Sequence, residues 1–120
     1  MVMAKLGRPA LPIVHLMVND PFKALAHPLR RDIVARLARG GATVGEATGS
    51  LGVSKSAISK HLKVLEEAGV ILRVIDGRTH WLELDVAPLD EAGNWIDRQR
   101  TVWVRMLDGV EDYVREREGG

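Results

Sequence analysis

The stretch Ser54-Lys55-Ser56-Ala57-Ile58-Ser59-Lys60-His61-Leu62-Lys63-Val64-Leu65 combines a helix start, a basic polar face and an apolar stripe. Ser54 suits an N-cap, because its hydroxyl can accept from a backbone N–H of the first turn, and no Pro or Gly follows until Gly69. Ile58, Leu62 and Leu65 stand at i, i+4 and i+7 and share one face, which leaves Lys55, Ser56, Ser59, Lys60 and Lys63 on the other. One side belongs in a core; the other can hold an anion.

The residues just upstream give this helix a context. Thr43 can cap a preceding helix with Glu46 three residues on, as in a capping box, while Val44, Ala47 and Leu51 supply its inward side. Gly45 and Gly49 weaken it by about 0.5–1 kcal/mol each relative to Ala, so packing must hold it. Gly52 supplies a tight turn and Val53 is expected to plug the angle before Ser54. Helix, tight turn and basic second helix form a helix-turn-helix, whose second helix enters the DNA major groove by its N-terminal end.

Before that motif, Asn19 or Asp20 can cap a short helix with Pro21 in its first turn and Phe22, Leu25 and Ala26 inward, ending near His27-Pro28. A second helix is expected from about Pro28 to Arg39, with Leu29, Ile33, Val34 and Leu37 on one face and Arg30, Arg31 and Asp32 outside it; Gly40-Gly41 ends it. Residues 1–19 hold Gly7, Pro9 and Pro12 and read as an extended arm.

After Gly69 the period of 3.6 gives way to β-branched runs, Val70 to Ile75 and Thr79 to Leu84, joined by Asp76-Gly77-Arg78. Asp-Gly signals a tight hairpin turn with positive φ values, Trp81 and His80 fall on opposite faces, and Arg78 at the tip can reach a phosphate. Beyond Pro88 a long amphipathic helix runs to near Arg117. It carries Leu89, Ala92, Ile96, Trp103, Met106, Val110, Tyr113 and Val114, widened by Trp95, Val102 and Leu107. That face is too apolar for a lone surface helix, and the same helix of a second copy is the simplest cover.

The architecture expected is therefore mainly α with a small β-hairpin, a winged helix-turn-helix. It divides into an N-terminal arm (1–19), a DNA-binding core (20–87) and a C-terminal dimerisation helix (88–120), one domain overall. The formal net charge of +1 hides a segregation: residues 29–64 carry +5 and residues 65–97 carry −6. The positive segment contains Arg30, Arg31, Arg36, Arg39, Lys55, Lys60 and Lys63, the distribution of a protein that touches phosphates on one face. Hydrophobic content of 46% with 28% charged residues places the chain among folded proteins. The apolar runs are too short to span a bilayer and no secretion signal opens the chain, so a cytoplasmic location is expected, with no membrane partner.

Phe22-Lys23-Ala24-Leu25-Ala26-His27-Pro28-Leu29-Arg30-Arg31, the run Ser56 to Val70 and Asp76-Gly77-Arg78 resemble the ArsR family of bacterial winged helix-turn-helix repressors, over roughly residues 20 to 115. The resemblance implies a homodimer, with the first and last helices at its interface, that binds a palindromic operator and represses transcription. On this reading Lys55, Ser56, Ser59, Lys60, His61, Lys63, Arg78, Arg30 and Arg31 face the double-stranded DNA operator. Leu89, Ile96, Trp103, Met106, Val110 and Tyr113 face the partner subunit.

The sequence departs from the family's metal sensors. Where arsenic and cadmium sensors carry Cys-Val-Cys-x-x-Cys, this chain has Thr43, Gly45 and Thr48, and it contains no Cys. Zinc and nickel sensors use His and Asp on the last helix, yet the final His here is His80 in the wing. No metal and no cofactor is expected from spacing, although His15 with a residue of a second chain remains a candidate ligand. Asp85, Asp90, Glu91 and Asp97 lack a His partner or a phosphate-binding glycine loop, so no enzyme is expected. Trp81, Trp95 and Trp103 offer a pocket for a small-molecule effector, and the competing reading is a winged-helix module that senses small molecules or binds proteins, with weak DNA affinity.

Overall fold

The computed structural model describes residues 20–119; the arm, with His15, lies outside the described residues. Asp20 caps helix α1 (Pro21–Ala24), its carboxylate accepting from the Phe22 N–H at 2.8 Å. The helix ends three residues sooner than His27 would suggest. Pro21 and Ala24 are its buried residues, while Phe22 and Leu25 are half-buried and Ala26 is exposed. Pro28 is the cause, because it forces His27 into extended backbone (φ −132°, ψ 134°) and the chain must unwind ahead of it. His27 then caps helix α2 (Pro28–Leu37), its Nδ1 accepting from the Leu29 N–H at 3.1 Å.

Strand β1 (Ala42–Thr43) leads into helix α3 (Val44–Thr48), where the capping box forms in full: Thr43 Oγ1 accepts from the Glu46 N–H, and Glu46 Oε1 accepts from the Thr43 N–H. These bonds hold the Glu46 carboxyl below its ordinary range. Gly52, at φ +69°, reverses the chain so that Leu51 packs against the core and Val53 is 39% exposed. Val53, expected to plug the angle between the helices, is thus exposed, and Leu51, two residues earlier, packs on the core instead.

Helix α4 (Lys55–Glu67) starts at Ser54, whose Oγ accepts from the Ala57 N–H at 3.1 Å. It closes in a Schellman motif: Gly69, at φ +73°, donates to the Glu66 carbonyl, Val70 donates to the Leu65 carbonyl at 3.0 Å, and Val70 itself is buried. The chain then enters strands β2 (Ile71–Asp76) and β3 (Thr79–Leu84). All three strands pair antiparallel in the order β1-β3-β2.

The hairpin differs in detail from the Asp-Gly expectation. Asp76 pairs with Thr79 inside the ladder, so Gly77 and Arg78 form the two-residue loop, and only Gly77 (φ +60°) is left-handed there. The side chains at 80, 82 and 84 face the core, with Leu82 fully buried, and Trp81 lies on the outer face over Gly41.

Ile33, Leu62, Leu65, Val70 and Leu82 are completely enclosed, surrounded by Ala24, Leu37, Ala42, Ala47, Ile58 and Ile71. Every helix through α4 and each strand contributes to this one core, with Leu89 packed against it. Helix α5 (Ala87–Gly119) is 33 residues long, about 50 Å at 1.5 Å per residue. The chain forms two compact units, one ending at Leu89 and the other beginning at Asp90, and from Asn94 onward every described residue is exposed. No described helix is long and apolar enough to cross a membrane.

Candidate nucleic-acid interface

Helix α4 divides as its spacing requires. Ile58, Leu62 and Leu65 are buried, while Lys55, Ser56, Ser59, Lys60 and Lys63 are exposed. Lys63 makes a long, solvent-exposed contact with Glu67 at 4.0 Å, which holds it weakly. Among the described residues Lys55 and Lys60 pair with no carboxylate, so their charge is available to an incoming anion.

An open groove runs from the start of this helix to the wing, lined by Thr43, Val44, Gly45, Lys55, Arg73, Arg78, Thr79 and His80. It gathers three cations from separate elements: the first residue of α4, a residue of β2 and the wing tip. A second groove between α3 and α4 includes Gly45, Lys55, Ser59 and Arg73. Gly45 leaves its surroundings open, since a Cβ built there would meet nothing within 4 Å.

Three residues grouped with the DNA-facing set by sequence have other partners. Arg30 is turned inward: its Nε donates to the Ala24 carbonyl at 2.9 Å, Nη2 to the Lys23 carbonyl at 2.9 Å, and Nη1 lies 3.3 Å from His61 Nδ1. Arg31 donates to the Leu25 carbonyl at 2.8 Å. The two guanidiniums thereby bond the carbonyls at the end of α1: that of Lys23, which also accepts from the Ala26 N–H, and those of Ala24 and Leu25. His61 is half-buried, its ring centroid 4.4 Å from that of His27, and burial followed by the nearby His27 and Arg30 lowers its pKa.

The helical spacing already contained this signal. Arg30 stands at i−3 and i−4 from Ile33 and Val34, and His61 at i+3 from Ile58 and i−4 from Leu65, so both belong to the edges of their apolar stripes. Arg30 is therefore not outside the stripe of α2, as its charge suggested.

Of the residues assigned to a subunit interface, Leu89 is half-buried against the core of its own unit. Ile96 is 48% exposed and Trp103, Met106, Val110 and Tyr113 are each at least 57% exposed. Trp81 donates from Nε1 to Glu83 at 3.1 Å. Among the described residues no three His, Asp or Glu side chains converge on a point where a metal ion could sit.

A capped basic helix behind a tight Gly turn, flanked by a hairpin with a cation at its tip, defines a winged helix-turn-helix DNA-binding regulator. Residues 25–74 match the family described as "Helix-turn-helix domain". The chain is similar to the HTH-type transcriptional regulator Rv2034 of Mycobacterium tuberculosis, with 40% identity over 93 residues that span 78% of this chain and 84% of the relative. It is also similar to the transcriptional repressor SdpR of Bacillus subtilis, with 34% identity over 79 residues, 66% of this chain and 88% of the relative. The crystal structure of the ArsR family transcriptional regulator RHA00566 matches with a TM-score of 0.65 and 33% identity, covering 68% of this chain and 90% of that one. The chain belongs to the ArsR family of transcriptional regulators, and its relatives are regulators rather than enzymes.

Proposed function

We propose that this protein represses transcription as a homodimer bound to an inverted-repeat operator. The observation that carries the reading is the exposed row Lys55, Ser56, Ser59, Lys60 and Lys63, beginning at a helix N-terminus and opening onto the groove that ends at Arg78. Lys and Arg here neutralise phosphates, and Ser56, Ser59 and Lys60 read base edges in the major groove. Arg30 supports α4 and α1 from behind instead of touching DNA, because each of its guanidinium nitrogens has a partner, while Arg31 and His61 each engage one nitrogen in the same support.

The dimer follows from α5. Leu89, Ile96, Trp103 and Val110 are spaced by seven residues, and Met106 and Tyr113 stand three beyond the last two, which is the a/d seam of packed helices. Residues 20–87 form the reading core in this proposal and 88–120 the dimerisation segment. Two reading helices related by a two-fold axis then meet half-sites about one DNA turn apart, roughly 34 Å. In bacteria, the source of the relatives, the chromosome lies in the cytoplasm, and the proposal places this protein there.

Selection of bound fragments from genomic DNA tests the proposal. The enriched fragments should share an inverted repeat, and affinity for them should fall steeply with salt through counterion release. Absence of duplex binding at low salt would overturn it in favour of a protein-interaction module.

A further inference from the structure

The wing leaves the body as a two-stranded ribbon whose outer half has little to lean on. Val74 and Ile75 are 55% and 61% exposed, residues 76–79 are all exposed, and the fully enclosed side chain of the pair is Leu82, near the base. Paired strands alone twist and flex readily. The direction of the tip is therefore set by whatever grips the ribbon between Leu82 and Gly77.

That grip is Arg73. From β2 its Nη2 donates to Glu66 Oε1 on α4 at 2.5 Å, and its Nη1 donates to His80 Nδ1 on β3 at 2.9 Å. One planar guanidinium thus ties the reading helix to both strands of the wing, meeting β3 at His80, two residues from Arg78. The Arg73 and Glu66 side chains are 23% and 34% exposed. In a pair this far buried the cost of desolvating two charges offsets much of their attraction, so its contribution is chiefly geometric: a rigid fork fixes an angle that a flexible ammonium would not.

We propose that Arg73, held by Glu66, is the positioning residue that aims the wing tip, so that Arg78 meets a DNA phosphate while the start of α4 lies in the groove. The proposal rests on the DNA-binding reading above and adds a division of labour among the groove's cations. Arg78 contacts, and Arg73 directs.

A salt titration of binding to a 30-base-pair duplex of random sequence tests it, using wild type, Arg78→Ala, Arg73→Met, the double variant and Glu66→Gln. Arg78→Ala and Arg73→Met should each lower the salt slope of the bound dimer by about 1.8, one phosphate for each of its two wings, and weaken binding roughly tenfold or more at 0.1 M salt. The double variant should be no worse than either single. Glu66→Gln should also weaken binding although it removes a negative charge, and being isosteric it keeps the test sound if Arg73→Met misfolds. Additive losses, or tighter binding by Glu66→Gln, would mean that Arg73 is itself a phosphate contact and would overturn the proposal, as would an unchanged slope in Arg78→Ala. A wild type with no salt-dependent duplex binding would instead defeat the underlying reading.

Discussion

Nη1 of Arg30 lies 3.3 Å from Nδ1 of His61, and because a guanidinium can only donate, the imidazole must accept. His61 is thus fixed as the neutral ring with its proton on Nε2, wedged between Arg30 and His27 at the point where α1, α2 and the reading helix meet.

This arrangement sets a pH dependence. The pKa of His61 is lowered from 6.5, first by burial and then by His27 and Arg30, so the unfolded chain binds a proton that the folded one rejects. Stability from this site is complete above the unfolded value and is lost as pH falls through the folded one. Urea denaturation between pH 7.5 and 5 should show wild type weakening below about 6.5, and His61→Gln weakening less. Equal pH profiles would remove His61 as the cause.

His27 has a separate task at the start of α2, where its Nδ1 accepts from the Leu29 N–H. His27→Ala should lower stability by about 1 kcal/mol in denaturant titrations, the usual cost of a lost N-cap, and His27→Asn should recover most of it. If Asn fares no better than Ala, the contribution lies in the ring contact with His61.

On the exposed side of α4, Lys60→Ala separates two kinds of contact. If Lys60 reads a base, operator affinity should drop by about 1–3 kcal/mol with relaxed preference at one position; if it holds a phosphate, selected and random duplexes should weaken together. Full retention of operator binding would exclude Lys60 from the interface.

Trp103→Glu places a charge in the proposed α5 seam, where the Trp is 60% exposed in the single chain. Sedimentation should show monomers at concentrations where wild type is dimeric, and operator affinity should fall because the two half-sites no longer bind as a unit. Because Trp103 makes no contribution to the core, the thermal transition of the body should persist. A variant that remains dimeric would place the subunit contact elsewhere.

The sequence by itself determined which stretches are helix and strand wherever a local signal was complete. Ser54 and the Thr43–Glu46 pair are caps that act within one turn, the stripe of Ile58, Leu62 and Leu65 follows from a period of 3.6, and the β-branched runs after Gly69 announce the hairpin. Two residues have no period, so β1 exists only because Ala42 and Thr43 pair with Leu82 and Trp81, almost forty residues on. The partners of Arg30 and Arg73 are likewise tertiary. Helical spacing placed Arg30 and His61 at the edge of a face, but only packing α1, α2 and α4 together brought them to 3.3 Å. Charge read from sequence is blind to that distinction: a guanidinium turned to backbone carbonyls and a lysine turned to solvent count alike until the fold decides which of them a carbonyl meets.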